Sequence, residues 1–273
     1  MKVRLLVVLF CGLLVGTAGA EEAKETQRTS DTQATTVTQA VCLTSETQLT
    51  TATKTVALTS GTQLTSVTKT VYLTFDDGPS EYTGRVLDTL KKYNVPATFF
   101  VCGNKSAEGI GLFKRMIAQG EAIGNHSFSH NAKNYKNVDD FMKDLNKQDD
   151  SLSSSTGLHT RIMRFPYGSN TTQVSQAQMR AVITAVVKAG YSYFDWTADA
   201  QDWKPGATKE TVLKNIIHDT KADNRNFAIV LMHDTKKHSM EALPSIIEFF
   251  QKEGYRFEKL SPQSDTRRFT TIN

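Results

Sequence analysis

The chain has 273 residues, 39% hydrophobic and 22% charged, with a formal net charge of +4. That composition suits one globular domain with a sizeable core plus some extra sequence. The weak positive balance excludes nucleic-acid binding by charge, and only 3 cysteines exclude a disulfide-framework protein.

At the N-terminus, Lys2 and Arg4 precede an apolar run from Leu5 to Val15 and then Ala18-Gly19-Ala20. This pattern reads as a secretory signal over residues 1–20 with a small-residue cleavage site. Its apolar part is too short for a spanning helix. The expected destination is secreted or cell-envelope associated, without stable membrane insertion after signal removal. Cys11 follows Phe10, bulky where a lipoprotein signal needs a small residue, so no lipid anchor is expected. Cleavage would lower the formal charge from +4 to +2 and leave only Cys42 and Cys102. Nothing in the sequence supports a bridge between them.

Residues 21–70 are rich in Thr, Ser and Gln, hold no aromatic residue and read as a spacer. Within it VCLTSETQLTTATKT (41–55) is followed at once by VALTSGTQLTSVTKT (56–70), identical at 11 of 15 positions, and VYLTF begins a third copy. A 15-residue period is too short for the usual solenoid units, so it reads as a tandem duplication of spacer.

From residue 71 to residue 262, short apolar runs alternate with amphipathic segments. Strands are expected at 71–75, 97–101, 121–124, 162–165, 193–196, 228–232 and 256–260. Helical faces lie between them: Val86, Leu87, Leu90 and Tyr93; Leu112, Phe113, Met116 and Ile117; Met179, Val182, Ile183, Val186 and Val187; Val212, Leu213, Ile216 and Ile217; and Ile246 to Phe250. Repeated β-then-α units imply an α/β protein with a parallel sheet and outer helices. About seven strands suggest a (β/α) barrel, complete or not, which places its chemistry at the C-terminal strand ends. An open doubly wound sheet is the competing fold, but no glycine-rich phosphate loop follows the first strand. Residues 263–273 read as a C-terminal tail.

Polar residues collect at those strand ends. Asp76 and Asp77 stand between the first strand and Gly78-Pro79. They could be ordinary turn residues or, pointing to opposite sides of a strand end, two acids with separate tasks. His126 and His130, four apart in GNHSFSH, could share a metal or be a surface coincidence. With Asp77 they would form a two-histidine, one-carboxylate set with open positions for water. Ser127 occupies the glutamate position of the zinc-protease pattern, so the base must come from elsewhere, and Asp76 is the candidate. Arg164, in RFPYG, could pair with Asp76 and hold it ionised, or be an exposed strand-end arginine. His233, ending the apolar run IVLM, could be a core histidine or a general acid held in one tautomer by Asp202. Trp203 and Leu231 read as core or as walls of a small apolar pocket.

TFDDGP (74–79), HSFSH (126–130), RFPYG (164–168), DAQDW (199–203) and LMH (231–233) resemble, in order, the five motifs of the polysaccharide deacetylases of carbohydrate esterase family 4, the NodB homology domain. The resemblance implies a deformed (β/α) barrel over residues 71–262 that removes N-acetyl groups from N-acetylglucosamine polymers with one divalent metal, commonly zinc. It makes Asp76 the base, Asp77, His126 and His130 the metal ligands, and His233 the acid, with Asp202 tuning the acid and Arg164 orienting the base. It makes the Tyr167 backbone N–H an oxyanion donor and Trp203 and Leu231 the walls around the acetyl methyl. The donor set also suits cobalt, nickel or iron. The expected partner is peptidoglycan or chitin oligomers, and a monomer is expected. Rival readings are an O-acetyl xylan esterase using the same groups and an inactive glycan-binding protein whose working part is the spacer.

Overall fold

The computed structural model describes residues 68–272. The expected signal, Cys42 and nearly all of the spacer lie outside the described residues.

Among the described residues eight strands alternate with six α-helices, and a short 3-10 helix spans Ala132–Lys136. The strands are β1 (Thr70–Asp76), β2 (Thr98–Val101), β3 (Ala122–Asn125), β4 (Ile162–Met163), β5 (Ser192–Tyr193), β6 (Ala198–Asp199), β7 (Phe227–His233) and β8 (Arg256–Glu258). The helices are α1 (Thr83–Tyr93), α2 (Ala107–Gln119), α3 (Val138–Thr156), α4 (Gln176–Lys188), α5 (Lys209–Ala222) and α6 (Lys237–Lys252). Every ladder is parallel, in the order β5-β4-β3-β2-β1-β7-β6, with β8 paired to the start of β1. Among the described residues no ladder joins β5 to β6. This is the deformed (β/α) barrel, left open on one side.

Strand alternation separates two layers of core. Val71, Leu73 and Phe75 of β1 and Val230 and Met232 of β7 pack outward against Val86, Leu90, Leu243 and Ile246 of the helices. The intervening positions, Tyr72 of β1 and Ile229 of β7, join Phe100, Ile162, Phe194 and Leu260 in a cluster without helical residues, inside the curled sheet. Asp76 and His233 continue those inward rows to the C-terminal mouth, and the β1–β7 register sets them directly opposite each other. Tight parallel pairing, about 4.8 Å between strands, therefore delivers both groups to one place.

Five details depart from the sequence reading. The strand expected over 193–196 stops at Tyr193, because the Phe194 carbonyl accepts Arg164 Nε and the Asp195 N–H donates to the Arg267 carbonyl. The chain then returns as β6, a strand absent from the sequence reading. Helix α3 was also missed: Asn137 caps it and Phe141, Leu145 and Leu152 are buried, but Gln148 and Asp149 on the same side break the apolar pattern. Ile117 and Val187 lie on helix flanks, 40% exposed each, and not on the packed faces. The segment expected as a tail packs onto the domain, with Tyr193 Oη donating to the Thr270 carbonyl and Ile272 against the α3–α4 core.

Close packing at β3 gives a direct test. A Cβ added to Gly124 would run into the Phe100 ring and stand 3.3 Å from Ile162 Cγ1. Gly124→Ala should therefore cost about 1–3 kcal/mol of stability, read as a lower denaturation midpoint at unchanged m. An unmoved midpoint would contradict this packing.

Candidate active site

Arg164, fully buried inside the barrel mouth, organises the site. Its Nη1 donates to Asp76 Oδ1 at 2.8 Å and to Thr74 Oγ1 at 2.7 Å, and its Nε donates to the Phe194 carbonyl at 2.9 Å. The guanidinium also stacks 4.4 Å from the Phe100 ring centroid. It is not the exposed strand-end arginine of the competing reading. Asp76, itself buried, is thereby fixed with its second oxygen, Oδ2, 3.7 Å from His126 Nε2.

The same arginine orients a histidine through its backbone. His126 Nδ1 lies 2.8 Å from the Arg164 carbonyl, which can only accept, so Nδ1 carries the proton and Nε2 presents its lone pair. Asp77 lies past the end of β1 at φ +76°. The two aspartates therefore separate by a left-handed backbone step and not by simple strand alternation. Asp77 Oδ1 comes 3.4 Å from His126 Nε2 and 3.3 Å from His130 Nε2. Loop residues Ser127 (φ +63°) and His130 (φ +51°) turn the second imidazole back toward the first, and the His130 N–H donates to Ser127 Oγ.

One donor atom from each of Asp77, His126 and His130 lies within 4.8 Å of the others. Asp77 Oδ1 is buried with no hydrogen-bond partner, a costly arrangement that a cation facing both imidazole lone pairs would relieve. The residues therefore fit a divalent ion held by two nitrogens and one carboxylate, with positions left for water. Burial alone would raise the Asp77 carboxyl, but the imidazoles of His126, His233 and His130 outweigh it and hold Asp77 well below the usual carboxylate range. Burial would likewise lower His126, yet the charges of Asp76 and Asp77 raise it. His130 is lowered, by burial first and then by His126.

Across the mouth, His233 Nδ1 lies 2.6 Å from Asp202 Oδ1, and the His233 N–H donates to Asp202 Oδ2 at 2.7 Å. Ser239 Oγ donates to the same carboxylate. Burial would depress His233, but the Asp202 hydrogen bond and charge raise it to about 9. Its free Nε2 faces the cavity, 3.9 Å from Asp77 Oδ2. Tyr167 sits at φ +67°, 48% exposed, with its ring meeting that of His130 edge to face at 4.8 Å between centroids. Its N–H donates to no described residue. Trp203 stands at the rim, 55% exposed, while Leu231 is buried two residues below His233 on the inward row. All ten residues singled out in the sequence thus lie at one end of the barrel.

The sequence reading passed over Thr74, Ser239 and Asp234. Asp234 is fully buried beneath the Asp76–Gly78 turn, where it accepts from Thr83 Oγ1, and a Cβ at Gly78 would meet its carboxylate. Burial, with Asp77 nearby, pushes it up to about 7. Its signal was an acid directly after a strand-end histidine. Cys102 places its Sγ 3.6 Å from the His126 carbonyl, and Cys42 lies outside the described residues.

Comparison with known proteins relates the chain to one family. The sequence model of a family described as polysaccharide deacetylase matches residues 64–186. A peptidoglycan-N-acetylglucosamine deacetylase of Bacillus cereus is 33% identical over 197 residues, covering 70% of this chain and 69% of the relative. One of Listeria monocytogenes is 34% identical over 185 residues, covering 67% of this chain but 36% of that longer protein. The solved catalytic domain of a peptidoglycan N-acetylglucosamine deacetylase from Eubacterium rectale superimposes with a TM-score of 0.70 at 34% identity, covering 75% of this chain and 94% of that one.

Metal binding can be read without any reaction. Asp77→Ala and His130→Ala should each weaken Zn2+ or Co2+ binding by about 100-fold or more in calorimetric titration. Affinity in the wild type should fall as pH drops from 8 to 5, because protons compete for His126, whose affinity for them is raised. Undiminished affinity in both variants would place the ion elsewhere.

Proposed function

Because the chain belongs to the polysaccharide deacetylase family, carbohydrate esterase family 4, we propose that it is a metal-dependent hydrolase that removes N-acetyl groups from N-acetylglucosamine residues of peptidoglycan, releasing acetate. The observation that carries this reading is the facing of Asp76 and His233 across the β1–β7 register, each backed by its own partner and set beside the Asp77, His126 and His130 cluster. The peptidoglycan substrate is supported by the relatives' names. The reading of residues 1–20 as a signal supports action outside the cytoplasm, where that polymer lies.

A cation held by Asp77, His126 and His130 would supply Lewis-acid polarisation and a more acidic water, and zinc is the metal we favour for this donor set. Asp76, locked by Arg164, accepts the proton of the water that attacks the acetamide carbon. Charge growing on the carbonyl oxygen is met by the Tyr167 N–H, preorganised by a fixed left-handed backbone. His233 carries the opposite proton, because Asp202 holds its Nδ1–H and favours the imidazolium. It gives that proton from Nε2 to the departing sugar nitrogen, leaving a glucosamine amine and acetate. Leu231 and Trp203 offer apolar surface to the acetyl methyl.

Asp76→Asn and His233→Ala should each lower the turnover number for acetate release by about 100-fold or more, and a chelator should abolish release. The His233 acid must be protonated, so the rate should decline as pH rises through about 9. Parallel assays on peptidoglycan, chitin oligomers and acetylated xylan separate the substrates. Acetate from xylan alone would support the esterase, and glycan binding without acetate, unchanged in Asp76→Asn, would support the inactive binder.

A further inference from the structure

The C-terminal segment 264–272 reaches the floor of the proposed oxyanion site through one carboxylate. Asp195 is fully buried between β5 and β6. Its Oδ1 accepts the Ser169 N–H at 2.8 Å, and its Oδ2 accepts Ser169 Oγ at 2.5 Å and the Phe269 N–H at 2.7 Å. The Asp195 N–H donates to the Arg267 carbonyl at 2.8 Å, and the Asp195 carbonyl accepts Arg164 Nη2 at 3.3 Å. Ser169 Oγ in turn accepts the Thr270 N–H at 2.9 Å. One residue thus ties together the loop after β4, the site arginine and the end of the chain.

A second, apolar link runs beside the first. The Phe269 ring meets Trp196 edge to face at 5.0 Å between centroids. Trp196 backs the Tyr167-Gly168 turn so closely that a Cβ at Gly168 would stand 2.9 Å from its Cη2. Tyr167 and Gly168 hold consecutive positive φ angles of 67° and 80°. For tyrosine such a backbone is unfavourable and persists only where its surroundings over-determine it. Ser169, clamped directly after the turn, and Trp196, clamped beneath it, supply that constraint. None of these groups is among the metal-binding residues.

We propose that residues 264–272 are a strap which, through Asp195 and Trp196, holds the Tyr167-Gly168 turn with the Tyr167 N–H aimed at the reacting carbonyl, and that Asp195 is a positioning residue for the reaction. This deepens the deacetylase reading and rests on it. A strap of this kind acts on the donor that strengthens in the transition state, so loosening it lowers turnover with little change in substrate binding.

The test uses the full chain as wild type, Asp195→Asn and Phe269→Ala, with Phe269→Tyr as the conservative variant. Hydrogen exchange is read by mass spectrometry on peptides covering 165–171 and 122–131, together with zinc content and kcat and KM for acetate release from an N-acetylglucosamine tetramer. Asp195→Asn and Phe269→Ala should exchange faster over 165–171 and not over 122–131, and keep their zinc. Their kcat should fall roughly ten- to hundred-fold with KM within about threefold of wild type, while Phe269→Tyr stays near wild type. Wild-type exchange over 165–171 in both loosened variants would overturn the strap. So would a loss of kcat that tracks loss of zinc, which would mark a general structural role. Should Asp195→Asn fail to fold, Phe269→Ala, altered at a half-buried surface ring, decides alone. Should the wild type release no acetate, the proposed function fails while the exchange comparison still decides the strap.

Discussion

A guanidinium sealed inside the barrel mouth constrains the whole site. An unpaired buried charge would be prohibitive, so Arg164 persists only because its donors are met by Asp76, Thr74 and the carbonyls of Phe194 and Asp195. Those partners come from β1 and from the chain after β5, which fixes the relative position of two sides of an unclosed sheet. The Arg164 carbonyl meanwhile sets the tautomer and tilt of His126. One residue thus places the proposed base with its side chain and a proposed metal ligand with its backbone.

Opposite it, Asp202 does for His233 what Arg164 does for Asp76. The proposed base is partnered by a guanidinium and the proposed acid by a carboxylate, which favours the protonated His233. Between them Asp77 Oδ1 faces two imidazole nitrogens with no donor of its own. Excess negative charge, with Asp76, Asp77, Asp202 and Asp234 all near the mouth, makes the region receptive to a cation. Burial of Asp234 pushes its carboxyl up to about 7 and limits that excess.

Much of this was legible in the sequence because the chemistry sits where period-2 strands end. TFDD, IMRF and IVLMH each run an alternating or apolar pattern into a polar group, which a barrel places at its C-terminal mouth, and the five-motif resemblance then chose among the readings the pattern left open. What could not be read were features set by tertiary bonds. Strand β6 exists because Phe194 and Asp195 give their backbone groups to Arg164 and to the chain end. Helix α3 carries Gln148 on its inner face, where its amide donates to the Val101 and Cys102 carbonyls, so its apolar stripe is interrupted. The last residues lack an amphipathic pattern and are held mainly by backbone hydrogen bonds, which leave no signature in side-chain type. The left-handed step at Asp77 was equally hidden, since aspartate adopts it without any marker such as glycine.

The central claim is a division of labour between neighbouring aspartates: Asp77 grips a cation with His126 and His130 while Asp76 stays on Arg164, free to take a proton. Anomalous diffraction from zinc-soaked crystals tests it most directly. The account requires one strong peak about 2.0–2.2 Å from Asp77, His126 and His130, with Asp76 still bonded to Arg164. A peak elsewhere, or one drawing Asp76 off the arginine to become a ligand, would contradict it.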